Sequence, residues 1–151
     1  MAQPFVIRTL LVDESDDFLQ GASHWIQGRP ELEIVGRARS GLRALELVAR
    51  LKPDLVIMDC VLRELDGFRV ARVIKGHPDS PVVLLTAFVK TEAARHEALA
   101  AGADGFIAKD EFAGELERFL DELIARRRGG RKRPRSLETP ARLGSQNEPD
   151  L

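Results

Sequence analysis

The stretch LVIMDCVLRELDG, residues 55–67, opens on four consecutive apolar residues, meets a carboxylate at Asp59 and ends on Asp66-Gly67. A run of Leu, Val, Ile and Met without polar alternation is the pattern of a strand covered on both faces. Asp66-Gly67 then opens a helix that runs to Lys75 and is ended by Gly76 and Pro78. Strand, acid and helix follow one another within about twenty residues, which is the first half of a parallel beta-alpha unit.

The same unit repeats on both sides. Phe5 to Val12 and Pro81 to Thr86 are also nearly continuous in Val, Ile and Leu, whereas Leu32 to Ala38 and Asp104 to Ala108 are more mixed, as edge strands would be. Between them, Phe18, Leu19, Ala22, Trp25 and Ile26 share one helical stripe, with Ser15 placed as its cap and Asp16 and Asp17 in its first turn. Ser40 caps a second helix carrying Ala44, Leu45 and Val48 and stopped at Lys52-Pro53. A fourth, alanine-rich helix spans about Thr91 to Ala101 and closes at Gly102, and Phe112, Leu116, Phe119, Leu120 and Leu123 form the buried stripe of a fifth. Five beta-alpha repeats argue for a doubly wound parallel sheet rather than a bundle or a sandwich.

The chain has 151 residues, 44% apolar and 31% charged, which is one ordinary domain. A single cysteine, Cys60, rules out an intramolecular disulfide and reads as a buried small hydrophobe; His24, His77 and His96 are scattered. No stretch is long enough to span a bilayer and the N-terminal apolar run is too short for a signal peptide, so the expected compartment is the cytoplasm, without membrane insertion. Residues 126–151 hold eight basic residues against three acidic, for +5, while residues 1–125 carry −6. The expected division is therefore a folded domain over 1–125 and a basic tail over 126–151, read as disordered. That tail lacks interleaved aromatics and the apolar spacing of a helix-turn-helix, so nucleic acid is expected at most as a weak partner through charge.

In an open parallel sheet, ligands bind outside the carboxyl ends of the strands. Asp13 and Glu14 follow the first strand and Asp59 the third, which brings three carboxylates to one edge. Their mutual repulsion can be relieved by protonation or by a cation, and an oxygen-rich open edge suits Mg²⁺ with a phosphoryl group. Asp59, the lone acid at its strand end, is the candidate nucleophile, and Asp13 and Glu14 are the candidate metal ligands. Thr86 and Lys109 end the fourth and fifth strands with a hydroxyl and an ammonium that can each meet a phosphoryl oxygen.

With DE at 13–14, MDCVLRELDG at 58–67, LLTAF at 84–88 and GADGFIAKD at 102–110, the chain resembles the response regulator receiver family over about residues 5 to 125. The resemblance implies a flavodoxin-like five-stranded parallel sheet of order 2-1-3-4-5 with five helices, in a cytoplasmic two-component signalling protein. It implies Mg²⁺-dependent phosphorylation of Asp59, with Asp13, Glu14, Asp59 and the backbone carbonyl of Val61 around the metal and Thr86 and Lys109 contacting the phosphoryl group. Phe106 stands where the family places a switching aromatic, though a plain core residue is the other reading of it. Phosphorylation enlarges Asp59 and draws Thr86 inward, leaving space an aromatic can fill, and the fourth helix, fifth strand and fifth helix form the expected readout face.

Three departures stand out. Arg63 replaces a frequent proline, which suggests a more mobile loop; Phe106 replaces a frequent tyrosine; Val61 and Phe88 are apolar where the family modulates water access, which suggests slow loss of the phosphoryl group.

The implied partners are a sensor histidine kinase or phosphotransfer protein, an unknown downstream protein, and a second copy of the chain. The reading is a stand-alone, non-enzymatic receiver; the alternative is a receiver of a transcriptional regulator lacking its DNA-binding output domain and acting by dimerisation or phosphate titration. A haloacid-dehalogenase-like phosphatase needs an Asp two residues after its nucleophile, where Ser15 and Val61 stand. A flavin carrier needs a hydroxyl-rich loop and a dinucleotide enzyme a glycine-rich one, and the first loop here is acidic.

Overall fold

The computed structural model describes residues 6–129. Five strands, β1 (Ile7–Val12), β2 (Leu32–Ala38), β3 (Leu55–Asp59), β4 (Val82–Ala87) and β5 (Gly105–Ala108), form one sheet of order β2-β1-β3-β4-β5 in which each pair is parallel. Helices α1 (Asp16–Gln27), α2 (Gly41–Leu51), α3 (Gly67–Lys75), α4 (Glu92–Ala100) and α5 (Phe112–Gly129) alternate with them, and a 3₁₀ turn at Lys109–Glu111 joins β5 to α5. The mixed strands, β2 and β5, are the edges, as the sequence implied.

Strand alternation sends side chains to two cores. Leu10, Val56, Met58, Leu85 and Phe106 pack under α2, α3 and α4, while Leu11, Ile57, Leu84 and Ile107 pack under α1 and α5 with Leu116, Phe119 and Leu120. Both faces of β3 are therefore covered, which is why residues 55–58 carry no polar alternation.

The helices start where the sequence supplies a side-chain acceptor. Ser15 Oγ accepts from the N–H of Phe18, Ser40 Oγ from Arg43, Asp66 Oδ1 from Arg69 and Thr91 Oγ1 from Ala94. At the other end, Lys52 closes α2 with φ 50°, and Gly102 takes φ 87° after α4, a left-handed geometry in which glycine is unstrained. Every one of these caps places a loop at a strand end, and the caps of α1 and α3 flank the acidic loops.

Helix α5 runs to Gly129, so residues 126–129 are helical where the sequence reading began the tail at 126. Arg126, Arg127 and Arg128 lie in its last turn, where cations complement the negative end of a helix, and Arg127 reaches to within 3.8 Å of Asp54. The remainder of that segment, 130–151, lies outside the described residues.

At the amino-terminal rim of the sheet, Asp104 Oδ2 accepts from Lys75 Nζ at 2.8 Å and from the N–H of Val83 at 2.9 Å, and Lys75 Nζ also reaches the carbonyl of Pro81 at 2.9 Å. Asp104 and Lys75 thus clasp β4, β5 and α3 together on the rim opposite the acidic loops.

Candidate functional site

Register decides which residues meet at the carboxyl rim. Val12 pairs with Met58, and Asp59 with Thr86, so the residues just past β1, β3 and β4 come to one level. Thr86 pairs in turn with Ile107, two residues before Lys109. Gly67 lets α3 start close beneath: a Cβ there would fall 2.2 Å from the carbonyl oxygen of Asp59 and 2.7 Å from Cys60 Cα. No side chain fits, and the N–H of Gly67 instead donates to the carbonyl of Cys60 at 3.1 Å.

Lys109 is the centre of the site. Its Nζ lies 2.7 Å from Asp13 Oδ2 and donates to Asp59 Oδ2 at 3.0 Å. It also stands 4.7 Å from the ring centre of Phe18 and 4.6 Å from that of Phe88, so two aromatic faces flank the ammonium. Burial works against its charge, but the contacts with Asp13 and Asp59 prevail and hold its pKa above the ordinary value.

Asp13 is 1% exposed. Its Oδ1 accepts the N–H of Ser15 at 2.9 Å, which fixes the carboxylate, and its Oδ2 meets the Lys109 charge without a well-directed hydrogen bond. Asp59 Oδ1 likewise accepts the N–H of Val61 at 3.1 Å. Burial raises the Asp59 pKa above its usual range; the Val61 N–H and Lys109 lower it in part, and the negative charge of Asp13 adds to the rise. Thr86 is fully buried and its Oγ1 has no hydrogen-bond partner. Of the two buried oxygens at this rim, Asp13 Oδ2 is matched by the Lys109 charge at 2.7 Å, and Thr86 Oγ1 is left without a partner. A buried hydroxyl left unmatched costs stability, and a site that binds a charged ligand is a common reason to retain one.

Glu14 does not join the other two acids. Its Oε2 accepts the backbone N–H of Arg63 and its Oε1 lies 3.3 Å from Arg63 Nε. Among the described residues no three acidic, histidine or cysteine side chains form a group able to hold a metal ion. The three carboxylates expected at one edge are thus divided between two cations, with Lys109 held by Asp13 and Asp59, and Arg63 by Glu14.

The loop around Arg63 is tied by that contact, where its lack of proline suggested looseness, and Glu64 beside it has φ 64°. Val61, Phe88 and Val89 are exposed apolar residues around the mouth, with Phe88 at 73%. Cys60 is buried, and burial together with the neighbouring Asp59 charge pushes its thiol up to about 11, as an inert core thiol requires. Phe106 is 6% exposed and lies inside the α2–α4 core, so its ring is already withdrawn from the surface.

Three participants escaped the sequence reading. Phe18 had the helical spacing of a core residue, and its role beside the ammonium leaves no separate mark. Arg63 carried a signal, a lone base in an acidic loop. Glu115, on α5, accepts the N–H of Ala108 at 2.9 Å and lies 3.4 Å from Lys90 Nζ, tying the loop after β4 to the residue before Lys109. Below it, a groove of about 600 Å³ opens between α4, β5 and α5, lined by Lys90, Arg95, Phe106, Glu115, Arg118 and Phe119 among others. No helix among the described residues is long and apolar enough to cross a membrane.

The comparisons bear on family and fold. The family model described as the response regulator receiver domain matches residues 9–121. A protein-glutamate methylesterase/protein-glutamine glutaminase of Alkalilimnicola ehrlichii is 33% identical over 134 residues, covering 85% of this chain and 34% of the relative. The response regulator protein VraR of Staphylococcus saprophyticus is 31% identical over 111 residues, covering 73% of this chain and 53% of the relative. The chain thus spans about a third to a half of the length of these curated relatives. Among solved structures, the response regulator domain of Thermotoga maritima CheB superposes with a TM-score of 0.70 at 30% identity, covering 80% of this chain and 95% of that one. A LuxR-family two-component response regulator from Aurantimonas gives 0.74 at 27% identity, covering 84% and 88%. Strand order and sequence agree, and the chain belongs to the response regulator receiver domain family of two-component signalling.

Proposed function

We propose that Asp59 is the phosphoacceptor, taking a phosphoryl group from a sensor histidine kinase or a phosphotransfer protein. The observation that carries this reading is the buried Thr86 Oγ1 without a partner, one strand over from an Asp59 carboxylate that shares the Lys109 ammonium with Asp13. In the transfer, an Asp59 carboxylate oxygen forms a bond to phosphorus while the bond from phosphorus to the donor breaks, and that bonding pair leaves with the donor. Lys109 and the Thr86 hydroxyl then meet the new phosphoryl oxygens, which supplies the hydrogen bond that Thr86 lacks.

The rim carries oxygen donors of the kind Mg²⁺ takes, with Asp13 and Asp59 turned to Lys109 and Glu14 to Arg63; with those contacts exchanged for the ion, Asp13, Glu14, Asp59 and the backbone carbonyl of Val61 would hold it. Bound there, the ion would neutralise charge on the carboxylates and on the incoming phosphoryl group. Asp13 is presented for this by the Ser15 N–H, and Asp59 by the Val61 N–H.

The output is a phosphorylation-controlled contact, for which the groove between α4, β5 and α5 and the Glu115–Lys90 tie beside it are the structural support. Thr86 and Phe106 form the switch. We favour a non-enzymatic, cytoplasmic receiver acting on an unidentified downstream protein through this face. The second reading is the receiver of a transcriptional regulator without its DNA-binding domain, working by homodimerisation or phosphate titration; the LuxR-type likeness favours it.

Intact-protein mass after incubation with a small acyl phosphate tests the chemistry. One added phosphoryl group, dependent on Mg²⁺ and absent in Asp59→Asn, is expected. No mass gain in the wild-type chain with any donor would refute the acceptor role.

A further inference from the structure

Asp13 and Asp59 are each fixed by a backbone N–H two residues on, from Ser15 and Val61. Glu14 is held differently, across the mouth of the site, by the backbone N–H and the guanidinium of Arg63. We infer that Arg63 is a built-in competitor for the divalent cation: it occupies the Glu14 carboxylate and so sets how much Mg²⁺ is needed to load the site. The inference rests on the metal-assisted reading above and names a regulation of that same site.

Three observations support it. First, the clasp has two arms, a main-chain N–H and Nε, and a proline at this position would supply neither. Second, the main chain of Glu14 is separately held, since Arg39 Nη2 lies 3.3 Å from its carbonyl oxygen and Arg39 Nε pairs with Asp16 at 3.5 Å. The Glu14 side chain can therefore change partner while its backbone stays in place. Third, the Arg63 side chain is 85% exposed and Glu14 is partly buried, so the arginine can swing into water at little cost while the carboxylate stays at the rim. An ion pair this exposed is weak and screened by salt, which makes the competition a matter of a few-fold rather than of orders of magnitude.

The test is Mg²⁺ titration, by calorimetry and by the amide shifts of Cys60 and Val61, on wild type, Arg63→Ala, Arg63→Pro and Asp13→Asn, with no phosphoryl donor present. Arg63→Ala removes the side-chain arm and is expected to bind Mg²⁺ about two- to five-fold more tightly at low salt. Arg63→Pro removes both arms and is expected to bind more tightly still. The advantage of Arg63→Ala should shrink as ionic strength rises to about 0.5 M, which a change in packing alone would not produce. If Arg63→Pro does not fold, Arg63→Ala and its salt dependence decide. Equal affinity in wild type and Arg63→Ala, with binding abolished in Asp13→Asn, would overturn the competitor role and leave the metal site standing. No Mg²⁺ binding in any of the chains would overturn both.

Discussion

Lys109 Nζ and Asp13 Oδ2 stand 2.7 Å apart on side chains that are 3% and 2% exposed, an ion pair almost sealed from water. Removing one partner of such a pair leaves the other charged and desolvated, which is more costly than losing an exposed contact. Lys109→Met should therefore destabilise the fold by about 2–4 kcal/mol in chelator, measured by urea denaturation. Because the Lys109 pKa lies above its ordinary 10.5, the pair's contribution is complete at lower pH and is lost only as pH climbs through the raised folded value. A loss as small as that of a surface lysine would contradict the central place given to this ammonium.

Asp59 behaves in the opposite sense. An acid whose pKa is higher in the folded chain than in the unfolded chain binds its proton more readily when folded, so its charged form weakens the fold. The penalty is absent below the ordinary value of 3.8 and grows as pH rises through the raised one. Asp59→Asn should be more stable than wild type at pH 7, by on the order of 1 kcal/mol, with the difference vanishing in acid. Parallel pH–stability curves for the two proteins would remove the charge explanation.

Thr86 offers a cleaner separation of stability from signalling. Replacing its unpartnered hydroxyl by a methyl in Thr86→Val should leave stability unchanged or raise it by about 1 kcal/mol. Transfer from an acyl phosphate should slow, and any phosphorylation-induced shift in the α4–β5–α5 face, followed by amide chemical shifts, should be lost. A variant that signals like wild type would show that the hydroxyl has no phosphoryl contact to make.

Gly67→Ala tests the close approach of α3 to the end of β3. Its Cβ would strike the carbonyl of Asp59 and the Cα of Cys60, both main-chain atoms that cannot rotate away. A loss of about 2–4 kcal/mol is expected, with slowed phosphoryl uptake because Asp59 itself must shift. Thermal melting and the mass assay together measure both.

Much of this was legible in the residues. The apolar runs at 55–58 and 82–85 had no polar alternation because both faces are covered, and the acids, hydroxyl and amine at their ends announced the rim. Ser15, Ser40 and Asp66 marked helix starts because a side-chain acceptor at that position has a local chemical purpose. The end of α5 was not legible: its apolar stripe fades after Ile124, and the last turn is carried by arginines suited to a helix terminus, which look the same in a solvated tail. The Arg63–Glu14 clasp was hidden for another reason. One of its arms is a backbone N–H, whose direction is set by loop conformation and not by residue identity.

The clasp of Asp104 onto Lys75 and Val83 fastens the sheet at the end away from the chemistry. The four residues of β5 beyond it span about 13 Å, so the clasp and Lys109 stand at opposite ends of that strand. A rotation of about 5° at the clasp would carry Lys109 roughly 1 Å, the size of step by which an ammonium gains or gives up a hydrogen bond. A change of partner at the rim would thus require only a tilt of that size, with the packing beneath left as it is.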